Sequence, residues 1–217
     1  MNEVYSCNDP VRRSAGFAEA KRALARSGLV VAPTDTVYGI AADAFDPVGV
    51  RRLLRAKGRG RDVPTPVLIA SNDALGALTT NLSPDARELA ATFWPGGLTL
   101  VCRQQPSLSW DLGDSRGTVA LRIPNQKDAL DLLRDNGPLA VSSANVTGQP
   151  PATSVAEALD MLGDAIDVYL DAGDAPGAVP STIVDATGDV LRVVRIGILS
   201  LEELRDVVPS VAAAEPG

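Results

Sequence analysis

Short apolar runs alternate with amphipathic stretches along this chain, and turn formers separate them. The runs at 29–32, 67–70, 98–102, 118–122 and 139–141 are rich in Leu, Val and Ile and read as buried strands. Those at 168–170, 182–184 and 190–194 continue the series. Between them, helical spacing recurs. Ser14 is placed to cap a helix that buries Phe17, Ala20 and Leu24 and stops at Gly28. Asp46-Pro47 opens a second helix, with Val50, Leu53 and Leu54 inward and Arg51, Arg52 and Arg55 on a solvated face. Ser83-Pro84 opens a third, toward Phe93, and a fourth runs from Gln126 to Arg134 with Gly137 as its stop. Ser154 with Glu157, and Ser200 with Glu203, have capping-box spacing. Such alternation predicts an α/β fold, and the short turns joining the last strands predict antiparallel pairing, hence a mixed sheet. Residues 1–208 are expected to form one domain and 209–217 a frayed tail.

Composition narrows the chemistry. A formal charge of −7 over 217 residues argues against a surface that coats nucleic acid. Two cysteines far apart, Cys7 and Cys102, make neither a disulfide framework nor a metal pattern, which predicts a cytoplasmic setting. The first residues lack the basic and apolar regions of a signal peptide, and no apolar run approaches membrane-spanning length. Histidine is absent, which removes Ser-His-Asp and Cys-His catalysis and the usual zinc motifs. What remains is chemistry by charge, positioning, hydroxyls and carboxylates.

Against the acidic background, Lys57-Gly58-Arg59-Gly60-Arg61 concentrates cations beside glycines that let the backbone approach an anion. Thr34, Asp35, Thr36 and Tyr38 follow one strand, and Ser142, Ser143 and Asn145 follow another. Polar groups beyond strand ends are where α/β sheets hold ligands. Alone, each of these loops reads as well as a local turn or cap. Arg122 ends a strand and suits a carboxylate; Ser181 and Arg195 repeat the theme. Trp94-Pro95-Gly96-Gly97 reads as a structural turn. No carboxylates have metal-loop spacing, so no metal is expected to be held by protein alone, and Mg2+ would arrive on substrate phosphates.

Taken in order, these segments resemble the YrdC-like family of threonylcarbamoyl-adenylate synthases. The carriers are Pro33 to Ile40, Lys57-Gly58-Arg59, Trp94 to Thr99, Val119 to Pro124, Ser143-Ala144-Asn145, Pro180 to Ile183 and Arg195-Ile196-Gly197. The resemblance implies a twisted sheet with flanking helices around a deep, positively lined cavity. It implies synthesis of L-threonylcarbamoyl-AMP and pyrophosphate from ATP, L-threonine and bicarbonate, for modification of the adenosine beside the tRNA anticodon. It further implies that Lys57 and Arg59 are catalytic, and that Lys57, Arg59, Thr118, Ser143, Asn145 and Arg195 line the ATP side. Thr36, Arg122 and Ser181 would hold threonine, with Thr34 and Tyr38 in the cavity wall. Downstream tRNA-modifying transferase proteins and weak tRNA binding are the implied partners, with no membrane. This chain departs from the pattern at Gly60, Arg61, Leu68, Asn125 and Ile196. Two rival readings are a carbamoyl-adenylating relative and an RNA-binding factor using the basic cavity.

Overall fold

In a computed structural model that describes residues 3–177 and 179–214, one ten-stranded sheet organises the chain. Its strands are β1 (Glu3–Ser6), β2 (Val30–Ala32), β3 (Gly39–Asp43), β4 (Val67–Leu68), β5 (Leu98–Arg103), β6 (Thr118–Arg122), β7 (Leu139–Ser143), β8 (Val168–Asp171), β9 (Thr182–Asp185) and β10 (Arg192–Arg195). They lie in the order β1-β8-β2-β3-β7-β4-β6-β5-β9-β10. Four pairs are parallel (β1 with β8, β8 with β2, β4 with β6, β5 with β9) and the other five antiparallel, so the twisted sheet is mixed. The seven helices are α1 (Pro10–Ala25), α2 (Pro47–Ala56), α3 (Asn72–Leu78), α4 (Pro84–Phe93), α5 (Lys127–Asn136), α6 (Val155–Leu162) and α7 (Leu201–Val207).

Side-chain alternation decides what covers each face. On β2, Val30 and Ala32 pack toward Phe17, Leu24 and Leu132, from α1 and α5. The neighbouring Leu29 and Val31 point the other way, toward Leu53, Val155 and Tyr169. Farther along, Leu98, Leu100 and Cys102 of β5 and Val119 and Leu121 of β6 enter a third core with Leu89 of α4 and Leu204 of α7. On the opposite face of these strands polar side chains collect, Thr99, Thr118 and Arg122 among them.

Several boundaries differ from the sequence reading. α1 begins at Pro10, capped by Asp9, whose Oδ1 accepts the N–H groups of Val11 and Arg12 at 2.8 and 3.0 Å, so Ser14 is not its cap. Ser27, at φ +63°, takes the left-handed position after it rather than Gly28. β1, β3 and α3 were not anticipated. At Ser154 half the capping box forms: Ser154 accepts from Glu157 N–H, but Glu157 reaches Thr153 instead. The box at Ser200 is complete. The expected tail is corrected where it is described: Val211 is buried and Ala212 bridges to Leu191 and Val193 beside β10. Residues 215–217 lie outside the described residues.

Candidate functional site

The bare face of the sheet is hollowed into a cleft of about 530 Å3. Alternation puts Thr99 and Val101 of β5, Thr118, Ala120 and Arg122 of β6, Val141 and Ser143 of β7, and Ile183 of β9 on its floor. Loops supply Thr34, Thr36, Tyr38, Arg59, Thr65 and Ser181, and the end of β10 supplies Arg195. The polar groups expected beyond strand ends thus border a cleft that lies on a sheet face. Thr118 and Arg122 stand at opposite ends of one strand, about 13 Å apart at the usual rise per residue. That length accommodates a nucleotide phosphate chain beside a small polar molecule.

Arg122 anchors one end. Its Nη2 donates to Asp35 Oδ1 at 2.6 Å, its Nη1 to Thr36 Oγ1 at 3.1 Å, and its Nε to the Gly96 carbonyl at 2.9 Å. Guanidinium carries five N–H donors, so two remain for a ligand. Burial pushes its pKa below the usual guanidinium range, against the pull of Asp35. The Trp94–Gly97 turn thus has a second use: Trp94 Nε1 donates to Leu98 O, Gly96 N–H to Ile123 O, and the Gly96 carbonyl is left facing Arg122. Thr34 shapes the neighbouring loop, since its hydroxyl accepts from the N–H groups of Thr36 and Val37. Tyr38 lines the wall, and its hydroxyl donates to the Gly173 carbonyl. Burial pushes the Tyr38 pKa up to about 12, which keeps that donor protonated.

The opposite wall is built by β9 and β10. Ser181 Oγ lies 2.8 Å from Thr99 Oγ1, and Arg195 Nη2 donates to the Ser181 carbonyl at 2.7 Å. A register shift between Val193 and Arg195 brings Arg195 opposite Ile183, on the cleft side, although Val193 faces the core. Gly197 makes the approach possible, because a Cβ there would sit 2.2 Å from the Pro180 carbonyl oxygen. Thr182, fully buried, accepts from Gly197 and Leu199 N–H and donates to Leu199 O, fixing the 195–199 turn.

The basic segment divides into two environments. α2 ends in a Schellman turn: Gly58, at φ +62°, donates to Arg55 O, and Arg59 N–H donates to Leu54 O. This turn sends Lys57 inward and Arg59 outward. Lys57 is 0% exposed, and its Nζ donates to the Ser143 carbonyl, to Asn145 O at 2.8 Å and to Asn145 Oδ1 at 3.1 Å. Burial, then the charge of Arg59, brings its pKa down from 10.5 to about 8. Asn145 Nδ2 in turn donates to the carbonyls of Val146 and Gln149. Lys57 and Asn145, expected on the phosphate side, hence lie one layer behind the cleft surface, with Ser143 in front. Arg59 lines the cleft, and its guanidinium makes no hydrogen bond or ion pair among the described residues. Arg61 is not a free cation: it is paired with Asp111 and Asp114, and its hydrogen bonds hold the Asp111 carboxyl below the usual range. Arg52 is paired with Asp167.

Of the residues singled out from the sequence, Thr34, Thr36, Tyr38, Arg59, Thr118, Arg122, Ser143, Ser181 and Arg195 meet around this cleft. Thr99 was missed, although a hydroxyl alternating with Leu98 and Leu100 in an apolar strand was the available signal. Asp35, read in the loop after a strand and as a carboxylate without metal spacing, is the partner of Arg122. A second hollow, between α1 and α5, is lined by the Arg13, Asp131 and Arg134 ion pairs and gathers no comparable set of hydroxyls.

Residues 22–197 match the family described as Telomere recombination (Sua5/YciO/YrdC). The chain belongs to that family. A Mycobacterium tuberculosis relative, provisionally named threonylcarbamoyl-AMP synthase, is 50% identical over 214 residues, 99% of each chain. The threonylcarbamoyl-AMP synthase of Pyrococcus abyssi is 36% identical over 91% of this chain and 57% of its own. Among solved structures, P. abyssi Sua5 complexed with L-threonine superposes with a TM-score of 0.90 at 32% identity, over 98% of this chain. This chain spans 62% of that one. Escherichia coli YciO shares the fold, with a TM-score of 0.83 at 22% identity over 94% of this chain and all of its own. Within this Sua5/YciO/YrdC fold, no group of three or more His, Cys, Asp or Glu side chains among the described residues could cage a metal. No helix among them is long and apolar enough to cross a membrane.

Proposed function

We propose that this protein is a threonylcarbamoyl-AMP synthase. It would convert L-threonine, bicarbonate or CO2, and ATP into L-threonylcarbamoyl-AMP and pyrophosphate. The observation that carries the reading is the division of charge in the cleft: the Arg59 guanidinium has no partner among the described residues, while Arg122 is pre-set among Asp35, Thr36 and Gly96. An unpaired cation at a partly buried surface favours an anion of high charge, and a fixed guanidinium with two spare donors favours a carboxylate. The two lie on one cleft, which suits a triphosphate beside an amino acid. The full-length relative with a threonylcarbamoyl-AMP synthase name, and the threonine complex of P. abyssi Sua5, support the same substrates.

In this reading Arg122 takes the threonine carboxylate, with Thr36 and Ser181 beside it. Arg59, Thr118, Ser143 and Arg195 take the phosphate side, and Lys57 and Asn145 act from behind by fixing Ser143. The amine of threonine attacks bicarbonate, water leaves, and a carbamate forms. A carbamate oxygen then attacks the α-phosphorus in line, and pyrophosphate departs with its electron pair. No histidine serves as a base, so the protein contributes orientation and charge neutralisation. Asp35 is engaged by Arg122, so Mg2+ would enter with the triphosphate oxygens rather than in a protein cage. The labile adenylate would pass to a tRNA-modifying transferase in the cytoplasm, with at most weak contact between this protein and tRNA. The deciding assay incubates the protein with ATP, bicarbonate and single amino acids. Pyrophosphate that appears only with threonine, and an adenylate of matching mass, are expected; threonine-independent release refutes the reading.

A further inference from the structure

Two loops form one rim of the cleft, and they are fastened to each other. The first follows α2 and supplies Arg59, Val63, Pro64 and Thr65; the second, between β5 and β6, supplies Leu112 and Ser115. Arg61 joins them. Its Nη2 and Nη1 fork onto the two carboxylate oxygens of Asp111 at 2.7 and 3.0 Å, and its Nε reaches Asp114 Oδ1 at 3.3 Å. Backbone contacts close the seam: Asp114 N–H donates to Arg61 O at 2.8 Å, and Thr65 N–H to Leu112 O at 2.9 Å. Gly113, at φ +107°, allows this approach, since a Cβ there would stand 2.8 Å from the Arg61 carbonyl oxygen. At its far side the second loop is pinned by Trp110, whose ring stacks on Phe45 with centroids 5.3 Å apart.

Arg61 is half exposed, and a pair in that setting adds little to global stability. Its bidentate geometry is better suited to fixing a position. Arg59 sits two residues away, and its guanidinium has no hydrogen bond or ion pair among the described residues. We propose that Arg61, Asp111 and Asp114 form a clasp that positions Arg59 over the phosphate end of the cleft, with Arg61 as a positioning residue that never touches the nucleotide. The proposal rests on ATP as substrate, as argued above. It differs in kind from a direct phosphate contact, because it makes the aspartates as important as the arginine.

The test compares full-length Arg61→Ala, Asp111→Ala and the charge-swapped Arg61→Asp/Asp111→Arg protein with wild type. Threonine-dependent pyrophosphate release, amide hydrogen exchange of residues 58–66 and 108–115, and thermal unfolding are measured. Both single variants are expected to raise KM for ATP about five- to tenfold with a smaller change in kcat. Both should speed exchange in the two loops together and leave the unfolding midpoint within about 2 °C. The swapped pair should recover most of the lost KM. An increase in KM confined to Arg61→Ala overturns the clasp, because the arginine would then be acting on the nucleotide itself. Unchanged KM and exchange in both single variants also overturn it. If wild type releases no pyrophosphate, the ATP reading fails; exchange then decides the clasp alone, faster in both loops supporting it and unchanged refuting it.

Discussion

Lys57→Met keeps the aliphatic stem of a fully buried side chain and deletes its charged head. Two acceptors, Asn145 O and Asn145 Oδ1, then lose the Nζ that serves them, while the Ser143 carbonyl retains the Asn145 N–H at 2.9 Å. An unsatisfied buried acceptor costs about 1–3 kcal/mol, and losing the desolvated charge offsets part of it, so a net loss of about 2–4 kcal/mol follows. For a chain of this size that lowers the unfolding midpoint by about 4–16 °C. The pH dependence gives a sharper check. The Lys57 pKa falls from 10.5 unfolded to about 8 folded, so folding carries a penalty for the buried charge at every pH below 8. Between pH 8 and 10.5 the unfolded chain binds more protons at this site, and the penalty is relieved as pH rises, by about 3 kcal/mol at most. Oxygens around Nζ favour the ammonium and work against the full gain. Urea unfolding of wild type and Lys57→Met, at pH 7, 8, 9 and 10, measures the difference. The stability advantage of wild type should grow above pH 8. A constant difference across that range, or a variant as stable as wild type at pH 7, would show that Lys57 is not buried as described.

Arg59→Ala removes a cleft cation whose guanidinium has no partner among the described residues, and threonine-dependent pyrophosphate release should fall on the order of 10²–10³-fold with the unfolding midpoint unchanged. Near-normal turnover would refute its role. Asp35→Asn breaks the ion pair that orients Arg122, so calorimetric titration should find threonine binding weakened about tenfold, while equal affinity would detach Arg122 from threonine. Gly197→Ala forces a methyl against the Pro180 carbonyl and should cost about 1–3 kcal/mol in urea unfolding, with activity lost through a displaced Arg195. A silent substitution there would mean that the turn relaxes freely.

Much of the fold was legible because its signals are local. Asp46-Pro47 and Ser83-Pro84 announced helix starts, and the β6 limits followed directly from an apolar run ending at Arg122. Asp9-Pro10 carried the same signal and was passed over in favour of Ser14. β3 was hidden because Gly39-Ile40-Ala41-Ala42-Asp43 has little strand propensity; it is a strand because β2 and β7 pair with it on both sides. The site divides in the same manner. Charge type was readable, so Arg59, Arg122 and Arg195 were found. Depth was not: adjacent cations in one segment reach opposite environments because Gly58 turns the chain between them. The register shift that brings Arg195 onto the cleft side leaves no mark in composition either, since it depends on pairing with β9.

The parallel seam between β5 and β9 has an implication for how the protein is made. Its two strands are separated by nearly eighty residues of chain, and through it the wall bearing Ser181 and Arg195 joins the sheet, with α7 packed against α4. During synthesis the floor and the basic loop leave the ribosome long before their facing wall exists. Until residue 195 has emerged and docked, the growing polypeptide offers an open trough, unable to enclose a nucleotide or shield a labile carbamate. Docking of β9 and β10 is therefore the step that closes the trough, and deleting these two strands should abolish ligand capture before it erases the rest of the structure.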